Sequence, residues 1–135
     1  MSFHTHPPVV LVVDDEVFAR LFAVQIFLDQ GFTVLEAIDA EECLDVLDRN
    51  DDVDLLFTDI GMPGAMDGLA LMDRVRALHP AIALVATSGK APPAADWMCE
   101  DSRFLAKPYT AHALMSLVRE ILADRHDPAR ARAVA

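Results

Sequence analysis

Cysteine is nearly absent from this chain of 135 residues: Cys43 and Cys99 are far apart and outside any CxxC pair. That spacing speaks against a disulfide framework or a thiolate zinc site, and a chain this long can bury a core without either. The five histidines, at 4, 6, 79, 112 and 126, form no pair on one helix face that would suggest zinc. Basic residues are also scarce, eleven against twenty-two acids, for a formal charge of −11. Such a field repels phosphate backbones and anionic lipid, which argues against direct nucleic-acid or membrane-surface partners. There is no repeat, no low-complexity tract, no signal-peptide pattern and no apolar run long enough to span a bilayer. The expectation is a cytoplasmic globular protein.

What the sequence does have is alternation. Short segments rich in bulky apolar residues, at Val9–Val13, Thr33–Ala37, Leu55–Thr58, Ile82–Ala86 and Phe104–Ala106, are separated by stretches of helical character. The helices are expected at Val17–Gln30, Ala40–Arg49, Gly68–Leu78, Pro93–Asp101 and Thr110–Asp124, with Gly31 and Pro80 marking two ends. The first and fourth strands are continuous apolar runs, the pattern of a parallel sheet covered on both faces. Right-handed crossovers then give an open, doubly wound α/β domain of five parallel strands and five helices. Residues 9–124 form the domain, and 1–8 and 125–135 read as flexible tails.

In such a domain ligands gather at the carboxyl ends of the strands. Asp14 and Asp15 end the first strand, Asp59 the third, Thr87 the fourth and Lys107 the fifth. Each residue alone reads as a turn former, a helix cap or a solvated charge, but their joint placement on one sheet edge does not. Crowded carboxylates hold a proton or recruit a cation, and oxygen ligands of this kind favour Mg²⁺. Lys107 offers a compact positive charge and Thr87 a hydroxyl donor, both suited to the oxygens of a phosphoryl group on a neighbouring carboxylate.

These residues lie in the segments VVLVVDDE at 9–16, LLFTDIGMPG at 55–64, MDGLAL at 66–71, VATSG at 85–89 and FLAKPY at 104–109. Together the segments resemble the response regulator receiver family of bacterial two-component systems, over nearly the whole chain. The resemblance implies a flavodoxin-like sheet of order 2-1-3-4-5. It implies Asp59 as phosphoacceptor, Asp14 and Asp15 as Mg²⁺-binding acids, and a metal contact from the backbone carbonyl of Gly61. It also implies Thr87 and Phe104 as switch residues, Lys107 as the phosphoryl contact, and a cis peptide before Pro108. A histidine kinase or a histidine phosphotransfer protein is the implied partner. Ser88, and Pro92 with Pro93 at the start of the fourth helix, depart from the family pattern.

A haloacid dehalogenase-like phosphatase also uses a strand-end aspartate, but it needs a second acid two residues on, where this chain has Gly61. A phosphorylation-independent interaction module is the other alternative. The chain is expected to be a stand-alone, non-enzymatic receiver that signals through protein contact or a phosphorelay. The first helix adds a candidate surface. Steps of about 100° place Phe18, Ala19, Phe22, Ala23, Ile26 and Phe27 on a sheet-facing side. Val17, Leu21, Val24 and Leu28 then form a second apolar stripe, read as a homodimer interface or a kinase-docking face.

Overall fold

Four valines and a leucine form β1 (Val9–Val13), and every one of them is buried. A strand of this kind survives only in the middle of a sheet covered on both faces, which is where it lies. The computed structural model describes residues 7–61, 67–89 and 102–125. After β1 come α1 (Val17–Asp29), β2 (Thr33–Ala37), α2 (Ala40–Arg49), β3 (Leu55–Asp59) and α3 (Gly68–Leu78). They are followed by β4 (Ala83–Ser88), β5 (Ser102–Ala106) and α4 (Ala111–Arg125). All pairings are parallel, in the order β2-β1-β3-β4-β5. The helix expected at 93–101 and most of the two tails lie outside the described residues. No helix among the described residues is long and apolar enough to cross a membrane.

Strand periodicity splits the core into two layers. Leu11, Val13, Leu56 and Leu84 face the side covered by α2 and α3, with Cys43, Leu47, Leu71 and Val75. Val10, Val12, Phe57 and Val85 face the side of α1 and α4, with Phe27, Leu114 and Ile121. The edge strands β2 and β5 are less buried than the three between them. Helix starts follow capping chemistry: Asp39, Asp67 and Thr110 accept hydrogen bonds from the backbone N–H groups of Glu42, Ala70 and Ala113. Helix α1 ends where Gly31 adopts φ +86°, a conformation that favours glycine.

Boundaries shift from the sequence reading where hydrogen bonding outruns apolar character. The fourth strand runs to Ser88 and the fifth begins at Ser102, because these serines continue the ladder, pairing with Ala106 and Leu84. Thr87 is therefore inside its strand rather than at the end. At the amino end the carbonyl of Pro8 already accepts from Thr33 N–H at 3.0 Å.

The expected faces of α1 need correction. Ala23, Val24, Ile26 and Phe27 are buried, while Phe18 and Phe22, expected against the sheet, are 78% and 50% exposed. Val24, placed on the second stripe, packs into the core instead; Val17, Leu21 and Leu28 are on the surface as expected. The reason is that α1 is apolar nearly all round, so periodicity alone gives it no direction. Shape decides. Phe27 wedges between Phe32 and Phe57 with ring centroids 5.1 and 5.9 Å away, and this orientation turns Phe18 outward.

Candidate functional site

Parallel register brings the sequence-predicted residues to one edge. Val13 pairs with Thr58, Asp59 with Thr87, and Thr87 with Leu105, so the chain turns after β1, β3 and β5 converge. Oxygen atoms of Asp14, Asp15 and Asp59 lie within 4.8 Å of one another. Lys107 reaches over from beyond β5: its Nζ is 2.9 Å from Asp59 Oδ2 and 3.2 Å from Asp14 Oδ2. The Lys107–Pro108 peptide is cis, as the family resemblance implies.

The second oxygens of these two acids are held by backbone. Asp59 Oδ1 accepts from Gly61 N–H at 2.8 Å and Asp14 Oδ1 from Glu16 N–H at 2.9 Å. A Cβ at Gly61 would stand 3.5 Å from Asp59 Oδ1, an ordinary contact distance, so space alone does not require glycine there. Gly68 differs. A Cβ there would come within 2.3 Å of the Asp59 carbonyl oxygen and of Ile60 Cα, so the start of α3 packs directly on the phosphoacceptor candidate's backbone.

Electrostatics agree with a cation site. Burial raises the Asp14 carboxyl from its ordinary value, and the charge of Asp59 adds to this, against the hydrogen bond from Glu16 N–H and the charge of Lys107. Burial would lower the Lys107 ammonium, but its hydrogen bond to Asp59 and the charge of Asp14 outweigh it, and its pKa rises. One ammonium faces three carboxylates. This hard-oxygen donor set, charged in excess of its counter-ion, fits Mg²⁺.

Two predicted residues stand slightly apart. The Thr87 hydroxyl donates to the Leu105 carbonyl at 2.7 Å rather than into the acid cluster, and Phe104 is half-buried against the α2–α3 layer. An open cleft of about 540 Å³ adjoins the cluster, lined by Ala19, Phe22, Gly89, Lys107, Pro108 and Tyr109. Sequence reasoning missed two groups. Glu16 caps α1, accepting from Phe18 and Ala19 N–H, and the Arg20 side chain turns inward to the Asp14 carbonyl. The available signal for Arg20 was its standing as the lone cation of an apolar helix that follows the acid pair.

Comparison with known proteins agrees with this geometry. The family model for the response regulator receiver domain matches residues 10–119. The sensor kinase CckA of Brucella abortus is 35% identical over 117 residues, 84% of this chain but only 12% of its own length. A chemotaxis protein CheY homolog of Campylobacter jejuni is 33% identical, over 83% of this chain and 90% of that protein. A response regulator receiver domain protein from Clostridium thermocellum superposes with TM-score 0.78 at 25% identity, covering 86% of this chain and 94% of that one.

Proposed function

This chain belongs to the response regulator receiver family, and from that premise we propose that it accepts a phosphoryl group on Asp59 from the phosphohistidine of a kinase or phosphotransfer protein. Receiver domains of this type are signalling domains that work with such partners and bind Mg²⁺ at an acidic pocket. The observation that carries the proposal is the bridge from Lys107 Nζ to both Asp59 and Asp14 within the acid cluster.

In the proposed step an Asp59 carboxylate oxygen attacks phosphorus, the P–N bond to imidazole breaks, and an acyl phosphate forms. Asp14, Asp15, Asp59 and the Gly61 carbonyl would hold Mg²⁺, which supplies charge neutralisation for the incoming phosphoryl oxygens. Lys107 is already beside the nucleophile, where its ammonium meets the charge that the group brings. The Thr87 hydroxyl leaves Leu105 for a phosphoryl oxygen, and Phe104 follows it inward. Output passes through protein contact or onward phosphotransfer; the acidic charge and the apolar outer face of α1 support this. The phosphatase alternative lacks its acid, since Gly61 has no side chain.

Asp59→Asn should abolish labelling by acetyl phosphate in the presence of Mg²⁺, read by phosphate-affinity electrophoresis. Labelling of that variant at the wild-type level would overturn the assignment.

A further inference from the structure

Arg20 is the only cation on α1. Its side chain is just 13% exposed, and its guanidinium spans two other elements. Nη1 donates to the backbone carbonyl of Asp14 at 2.8 Å, and Nε donates to Glu36 Oε1 on β2 at 3.1 Å. Asp14 is thereby held at four atoms. Its N–H donates to the Ala37 carbonyl at 3.2 Å, its carbonyl accepts from Arg20, Oδ1 accepts from Glu16 N–H, and Oδ2 accepts from Lys107.

The carbonyl that Arg20 holds belongs to the peptide joining Asp14 to Asp15. Fixing that oxygen fixes the peptide plane, and with it the directions in which the two carboxylates leave the backbone. Glu36 pairs with Val12 across the β1–β2 ladder, so the anchor for the guanidinium is rigid sheet rather than loop. The planar fork of arginine can serve both acceptors at once with a fixed charge, whereas a lysine ammonium is a flexible point donor. We propose that Arg20, held by Glu36, is a positioning residue for the divalent-cation site, aligning the Asp14–Asp15 peptide so that both acids face Asp59. The inference rests on the reading of the acid cluster as a Mg²⁺ site.

The test uses isothermal titration of the full chain with MgCl₂, for the wild type, Arg20→Met and Arg20→Lys, beside acetyl phosphate labelling over a Mg²⁺ series. Partners that orient metal ligands typically cost about 10- to 100-fold in affinity when removed. Arg20→Met should therefore weaken Mg²⁺ binding by about tenfold, at the low end because backbone and Lys107 contacts to Asp14 persist. Arg20→Lys should weaken it to a smaller extent. At saturating Mg²⁺ both variants should regain the wild-type labelling rate, a split that general loosening of the fold would not give. A wild type without Mg²⁺ affinity would defeat the metal-site reading itself. A wild type that binds, with variants that bind equally well, would overturn the role of Arg20 alone. A labelling rate still depressed at saturating Mg²⁺ would overturn it too. Should Arg20→Met fail to fold, Arg20→Lys carries the same test, and unchanged affinity in it is the overturning result.

Discussion

Helices α1 and α2 cover opposite faces of the same sheet but are built differently. On α2 the buried residues Ala40, Cys43 and Leu47 form one stripe, and Glu41, Asp45 and Asp48 face water. On α1 the buried set is Ala23, Val24, Ile26 and Phe27, yet Val17, Phe18, Leu21, Phe22 and Leu28 remain exposed. A contiguous apolar patch of this kind is rarely left bare on a monomer. The difference teaches that α2 only covers the sheet, whereas α1 also borders the site: Phe22 and Ala19 line the cleft beside Lys107, and Arg20 holds Asp14.

The comparison breaks most visibly in stability. Phe27→Ala should cost about 3–5 kcal/mol and Leu47→Ala about 2–5 kcal/mol, since both side chains are fully packed. Phe18→Ala, at 78% exposure, should change stability by no more than about 0.5 kcal/mol. Urea unfolding curves of the three variants decide this. A cost at Phe18 equal to that at Phe27 would mean that Phe18 is packed as fully as Phe27 within the single chain.

The same contrast explains what was legible in the sequence. Asp14, Asp59 and Lys107 end up together because a charged residue at the end of a buried strand has one place to go, the open edge, and parallel pairing fixes that edge. The stripe of α2 was equally readable, because its polar residues name the outside. On α1 the polar residues Arg20 and Asp29 fall on opposite sides of the helix, so only the fit of Phe27 between Phe32 and Phe57 orients it. Tertiary partners are invisible in a linear pattern, which is why the sequence does not tie Arg20 to its partners Asp14 and Glu36. The bond from Thr87 to the Leu105 carbonyl was hidden for the same reason.

A smaller effect should appear in alkali. Burial, with the charge of Asp39, pushes the Cys43 thiol on α2 up to about 12. Burial and the charges of Asp14 and Asp59 raise the Tyr109 phenol beside α1. For both groups the folded state holds its proton more tightly than the unfolded chain. Their contribution is complete below the ordinary values of 9.0 and 10.0, and is lost as pH rises toward the folded ones. At pH 10, one unit above the ordinary thiol value, the Cys43 share of this loss is on the order of 1 kcal/mol. Comparing urea midpoints at pH 7 and pH 10, Cys43→Ala should lose less stability than the wild type. Equal losses would place the alkaline sensitivity on the Tyr109 side alone.

The outer face of α1 yields the smallest change in stability and the most informative one in assembly. Leu21 and Leu28 are each half exposed, so the Leu21→Glu, Leu28→Glu double variant should fold with near wild-type stability. Two occupants compete for the stripe of Val17, Leu21 and Leu28. A second copy would bury the stripe against itself across a two-fold axis, and a phosphodonor helix would reach the cleft at Phe22 and Tyr109 from the same side. We favour the homodimer. In it glutamates at 21 and 28 would meet their own copies as like charges in an apolar contact, which should split it. Light scattering should then show a concentration-dependent dimer for the wild type and a monomer for the double variant. Leu78→Glu, on α3 and also exposed, should leave the dimer intact. A wild type that stays monomeric at high concentration, with or without phosphorylation, removes the second copy as occupant. Kinase phosphotransfer that proceeds unimpaired in the double variant removes the donor helix, because acidic side chains at these positions would oppose an apolar docking surface.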